Sequence, residues 1–137
     1  MKTIDNFLNG ITMYRLMLYC LIFLFVVASV LSFFNVFPFN FLQLLFSTAV
    51  ILITCYITNK FFSLIFKIPT NVESVYISAL ILVFLILPAK TIPDLVFIIV
   101  AGAFAMASKY ILAINKKHIF NPAAIAVFTT SLFSLGN

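Results

Sequence analysis

Charge is what this sequence has least of. It holds eight basic and three acidic side chains among 137 residues, 8% in all, where a soluble domain carries roughly 25%. So few charges cannot cover a water-facing surface, which excludes an ordinary soluble fold. A bilayer removes the need, because lipid tails accept apolar side chains on the outside of a protein. Cysteine is almost as scarce. Cys20 and Cys55 both stand inside apolar runs, with no CxxC or Cys/His cluster, so zinc sites and disulfide frameworks are excluded. Histidine occurs once, as His118 in a basic stretch, and a single loop histidine does not make a haem site. No GxGxxG or other nucleotide loop occurs.

What is present is hydrophobic: 65% of the residues. Apolar stretches recur at about 17–25 residues, the length that crosses hydrocarbon. The first span is expected from about Met13 to Phe34, and a turn around Pro38 covers Asn35 to Asn40. The second runs from Phe41 to Asn59 and continues toward Phe66, and a polar connection from Lys67 to Glu73 follows. The third, Val75 to Leu87, is short and stops at Pro88. The fourth covers about Ile92 to Ile114. Asn115 to His118 form a basic loop. The fifth begins at Asn121-Pro122 and reaches about Leu135. The first run is long for a signal-peptide core and ends in Ser32-Phe33-Phe34-Asn35 rather than small-x-small, so it reads as an uncleaved helix. Ahead of it, Ile4, Phe7, Leu8 and Ile11 repeat at helical spacing, which predicts an amphipathic interfacial segment over residues 1–12. Residues 13–137 then form an all-α integral membrane unit of about five transmembrane helices.

The basic residues alternate between the two sides. Lys2 and Arg15, then Lys60 and Lys67, then Lys116 and Lys117 fall on one side. The other side has no basic residue in 35–40, and Lys90 beside Asp94 in 88–94. The positive-inside rule places the amino terminus in the cytoplasm and the carboxyl terminus outside, in a multi-pass inner-membrane protein. The net charge of +5 is dispersed over segment ends, so it reads as a topology signal and not as a nucleic-acid surface.

A few segments have local chemistry. Thr70-Asn71-Val72-Glu73 has the form of a capping box. Glu73 is the only glutamate and opens the short third span, which also makes it a candidate intramembrane site. Short or broken spans place helix ends at mid-membrane sites in inverted-repeat proteins; a tilted neighbour in a thinned bilayer is the other account. Ala101, Ala105 and Ser108, with Gly102 beside them, form a small-residue face that predicts close helix packing. Lys109 either snorkels to the cytoplasmic interface or is a buried cation facing an anionic group. Asn121-Pro122 predicts a helix start, with Asn as N-cap and Pro at the first helical position. The N–H groups that follow favour a negative charge or carbonyl oxygen. Cys20 and Cys55 fall at similar depth by position, where paired thiolates would suit iron–sulfur, although small apolar core residues are the simpler account.

At these residues the sequence resembles a family. Glu73 to Leu82, ending at Leu87-Pro88, resembles the third-helix motif of the RnfD/NqrB family of membrane flavin subunits: a serine (Ser74), a serine or threonine four on (Ser78), then a leucine-rich run into proline. Lys109 followed by Phe120-Asn121-Pro122-Ala123-Ala124 resembles that family's lysine and F-N-P-A segment. The resemblance covers roughly residues 40–130. It implies a membrane flavin subunit of a redox-driven ion pump, built as two five-helix inverted repeats similar to urea transporters. The present chain would correspond to the first repeat. The resemblance extends to forms in which the membrane unit is fused to a ferredoxin-reductase-like domain.

The family's S-G-A-T-type motif, which holds FMN covalently through a threonine, does not occur here, and the stretch from Tyr110 to Ile119 lacks the family's glycines. The resemblance therefore implies noncovalent flavin (FMN or riboflavin), with cofactor contacts at Lys109, Asn121, Pro122, Glu73, Ser74 and Ser78. It implies electron transfer coupled to Na+ or H+ movement. Such a unit would not be catalytic alone but part of an NADH- or ferredoxin-linked oxidoreductase. Its partners would be the lipid bilayer, a second repeat or second copy, and a reductase domain or other redox subunits. Two rival expectations remain: an inverted-repeat solute transporter or channel with a path along Glu73, Ser74, Ser78 and Thr129, or a membrane scaffold in which Lys109 and Glu73 simply snorkel.

Overall fold

A computed structural model describes residues 12–67, 69, 72–111, 113–114, 117–118 and 121–135. Five α-helices follow one another: α1 (Met13–Phe33), α2 (Phe41–Phe66), α3 (Val72–Leu85), α4 (Ile92–Ile111) and α5 (Pro122–Leu135). Between α4 and α5, β1 (Ala113–Ile114) pairs antiparallel with β2 (Lys117–His118), in the register Ala113 to His118 and Ile114 to Lys117. The fourth span was expected to reach Ile114 but ends at Ile111. The last apolar residues of that run pair with Lys117 and His118 as strand instead of extending the helix. The interfacial segment expected over residues 1–12 falls almost wholly outside the described residues.

Three helices, α1, α2 and α4, are long and apolar enough to cross a membrane. The two shorter ones, α3 and α5, have 14 residues each, or about 21 Å at 1.5 Å per residue. That falls short of a hydrocarbon core of roughly 30 Å.

The helix ends are closed by local bonds, as a low-dielectric surround requires. Asn35 ends α1 in the left-handed region (φ 56°). Its N–H donates to the Ser32 carbonyl at 3.1 Å, and the Val36 N–H reaches Leu31 at 3.1 Å. This is the 6→1 closure that favours glycine or asparagine there. The Ser32 hydroxyl then donates to the Phe39 carbonyl at 3.0 Å and folds the turn back on α1. At the start of α4, Asp94 Oδ2 accepts the N–H groups of Lys90 (3.1 Å) and Thr91 (2.9 Å). At the start of α5, Asn121 Oδ1 accepts the Ala123 N–H at 3.1 Å, the N-cap expected from sequence.

One of the two short helices, α3, is the most enclosed among the described residues. Val75, Ile77, Ser78, Ala79, Leu80, Leu82 and Val83 of α3 are all buried, because α1, α2, α4 and α5 all touch it. On α2 the buried face runs Leu44, Ser47, Thr48, Ile51, Cys55, Asn59, a strip at helical spacing. On α4 it runs Ile98, Ala101, Gly102, Ala105, Met106, Lys109. These two faces meet closely at Gly102, where a Cβ would lie 3.3 Å from Thr54 Cγ2 and 3.5 Å from Cys55 Sγ. The small-residue face expected on this helix is thus a packing surface, with Cys55 Sγ also 3.8 Å from the Gly102 carbonyl as donor. By contrast α1 buries only Ser32 among its residues. Its Phe23, Leu24, Val26 and Val30 face outward, which suits contact with lipid.

The interior is more polar than the exterior. Ser47, Thr48, Asn59, Ser78, Lys109 and Thr130 are buried. The hydroxyls of Thr48, Ser78 and Thr130 donate to the carbonyl four residues back in their own helix, so they are satisfied without a cross-helix partner. Ser47 acts differently. The chain leaves helical geometry after Leu85, and the Ala89 N–H donates to Ser47 Oγ at 2.8 Å. Lys90 Nζ reaches the Pro38 carbonyl at 2.9 Å. These bonds satisfy part of the irregular backbone of the connection, in which Pro88 is buried.

Candidate functional site

The succession of helices through short turns gives the molecule two ends. One end gathers the start of α1, the end of α2, the start of α3, the end of α4 and the start of α5. There Arg15 Nε and Glu73 Oε1 form an exposed ion pair at 3.0 Å, which links α1 to α3. Tyr110 donates to Asn59 Oδ1 at 2.9 Å, and its ring stacks on Phe62 and Phe66. All five tyrosines of the chain, Tyr14, Tyr19, Tyr56, Tyr76 and Tyr110, lie on helix segments nearer this end. The opposite end is rich in phenylalanine instead, with Phe33 edge-on to Phe34 and Phe41, and Phe37 stacked on Phe39. Tyrosine prefers the membrane–water boundary because its ring is apolar and its hydroxyl is wet.

Of the expected site residues, five of six lie at the tyrosine-rich end: Glu73, Ser74, Lys109, Asn121 and Pro122. Ser78 stands one turn deeper, buried, with its hydroxyl donating to the Ser74 carbonyl at 2.9 Å. Glu73 is engaged by Arg15 and is not a free intramembrane carboxylate; the capping-box partner Thr70 lies outside the described residues. Asn121 is exposed and spends its side-chain oxygen on the cap. Pro122 occupies the first helical position, as expected.

Lys109 is the residue that stands out. It is 8% exposed, and among the described residues its Nζ has no hydrogen-bond partner. It therefore does not snorkel to water. Side chains on a helix lean toward the helix amino end, so Lys109 leans inward along the Gly102–Ala105–Met106 strip. Cys55 of α2 packs against the same strip, its Sγ 3.8 Å from the Gly102 carbonyl. Removing an ammonium from water costs several kcal/mol that a partner must offset. An amine so placed is suited to an anionic or lone-pair-bearing group.

The cysteines do not form a pair: Cys55 is buried, and Cys20 is exposed on α1. Among the described residues no cluster of three or more metal-ligating side chains occurs. At the phenylalanine-rich end a cavity of about 430 Å³ lies beside the broken end of α3, lined in part by Pro88, Lys90, Asp94 and Ser131.

At this end the cross-element contacts of Arg15 with Glu73 and Tyr110 with Asn59 escaped sequence reasoning. Neither has a local signal, since their partners are 58 and 51 residues apart. The burial of Lys109 did have one: Gly102, Ala105 and Lys109 recur at spacings of three and four, so the lysine shares the packing face.

An exterior of apolar helices around a partly polar interior defines a helical membrane protein. Compared with family models, curated proteins and solved structures, the chain matches none.

Proposed function

We propose that this chain is a five-helix membrane unit that supports flavin-mediated electron transfer within a larger redox assembly. The observation that carries the reading is the buried amine of Lys109, without a hydrogen-bond partner among the described residues. In a flavin subunit it would face the phosphate or a ring carbonyl of noncovalently held FMN or riboflavin. The amino end of α5, behind its Asn121–Pro122 start, would present backbone donors, and the Glu73–Ser74 start of α3 would border the same end. Bound flavin supplies the ability to accept and release electrons; the chain's own groups position charge against it. A second five-helix repeat or a second copy would complete the unit, with a reductase domain or other redox subunits as donors. Coupling to Na+ or H+ movement and a cytoplasmic tyrosine-rich end belong to the same proposal.

The test is the visible spectrum of the protein purified in mild detergent. Flavin absorption is expected, reduced at least tenfold in Lys109→Met and largely kept in Lys109→Arg. A colourless preparation that transports a labelled solute would overturn the reading.

That outcome would favour a second reading, a small solute transporter or channel. Its supporting observation is the short α3, which ends at Leu85 in a non-helical connection from Ile86 to Lys90 beside the cavity of about 430 Å³. A path along Ser78 and Thr129 is the weaker part of it, because both hydroxyls already donate to their own helices.

A further inference from the structure

At the tyrosine-rich end a groove opens between α2 and α3, about 230 Å³ in volume. Tyr56, Asn59, Lys60 and Ser63 line it from α2, and Val72 and Val75 from α3. The four α2 residues recur at spacings of three, one and three, so they form a polar strip near the end of the helix. Asn59 is 3% exposed, and its orientation is fixed. Its side-chain oxygen accepts the Tyr110 hydroxyl at 2.9 Å, and Tyr110 is itself clamped by Phe62 and Phe66. With its oxygen held by Tyr110, the Asn59 amide lines the groove, and its NH2 group is the part that can still donate. Lys60 is exposed beside it.

Charge at this end is one-sided. Lys60 and Lys67 are exposed, while the nearby acid, Glu73, is already engaged by Arg15 at 3.0 Å. At the opposite end Lys90 and Asp94 balance. Around the groove the surface is apolar: Ile53, Ile57 and Leu64 are more than half exposed. A ligand seated here meets an amide and an ammonium at one end and a hydrocarbon strip below. That is the chemistry of a phospholipid whose phosphate lies at headgroup level and whose chains run down α2.

We propose that this groove is a binding site for an anionic phospholipid, with Lys60 and the Asn59 amide holding the headgroup phosphate. The site differs from a diffuse basic surface in being built around one buried, oriented amide. Lys67, one turn beyond the groove, contributes only to the general field.

The test uses the full chain, delipidated in mild detergent and titrated with phosphatidylglycerol or phosphatidylcholine of matched chains, with bound lipid counted by native mass spectrometry. Phosphatidylglycerol is expected to bind at least tenfold more tightly. Lys60→Gln should lower that preference about fivefold or more, with Lys67→Gln and Lys90→Gln leaving it within twofold. Asn59→Ala should lower it as well. If that variant fails to fold, the exposed Lys60 alone decides the matter. Equal binding of the two lipids, an equal loss in Lys60→Gln and Lys67→Gln, or displacement of the lipid by low-millimolar inorganic phosphate would each overturn the proposal.

Discussion

Gly102 shows how finely this interior is fitted. A methyl group there would come within 3.3 Å of the Thr54 methyl and 3.5 Å of Cys55 Sγ, a squeeze of a few tenths of an ångström against side chains that can turn. Alanine also recovers about 0.5–1 kcal/mol of helix propensity over glycine. Gly102→Ala should therefore be close to neutral. Gly102→Val adds two more heavy atoms with no space for them, and overpacking of this kind costs about 1–3 kcal/mol. Thermal unfolding in detergent should separate the two, and an unchanged midpoint for Gly102→Val would refute the close approach. The small-residue face was legible because spacing alone places Ala101, Gly102 and Ala105 together. That Lys109 is buried with them was half legible. The spacing puts it on that face, but only the packing of α2 and its neighbours against α4 turns the face away from water.

Among the elements, α3 is the informative one. Its shortness follows from Pro88 and a thirteen-residue apolar run, both visible in the sequence. Its position does not. A helix of 14 residues with little amphipathic contrast could border lipid or sit inside the bundle. The structure puts it inside and ties its loose end to α2 through Ser47 and the Ala89 N–H at 2.8 Å. Ser47→Ala removes that acceptor from a half-buried amide, and an orphaned buried donor costs about 1–3 kcal/mol. The expected result is a loss of that size in detergent unfolding, with Ser47→Thr retaining most of the stability. If Ser47→Ala unfolds like the unsubstituted protein, Ser47 does not hold the α3 end. No sequence rule joins residues 47 and 89, because the pairing is made by the fold of three helices. The early stop of α4 at Ile111 was hidden for a related reason. Ala113 and Ile114 extend the apolar run, and a strand pairing, not local propensity, takes them out of the helix.

At the scale of the whole molecule the two ends differ in kind: the tyrosines lie toward one, with Lys60 and Lys67, and Lys90 and Asp94 balance at the other. The positive-inside rule then predicts the tyrosine-rich end in the cytoplasm. In a Cys20→Ser background, Val36→Cys should react with an impermeant maleimide added to intact cells. Lys67→Cys should react only after permeabilisation. The reverse labelling would invert the proposed orientation.

Sequence by itself determined that the chain belongs in a membrane and roughly where its five helices lie, because both follow from composition and from local runs of apolar residues. It also determined the Asn121 cap, whose partners are neighbours in the chain. Tertiary structure alone decided which faces turn inward, that α3 is the enclosed helix, that Arg15 meets Glu73, and that Lys109 is left without a partner among the described residues. In a chain apolar on nearly every face, hydrophobicity does not mark the inside. What separates inside from outside is steric fit and hydrogen bonding between residues far apart in sequence, and these exist only once the helices have packed.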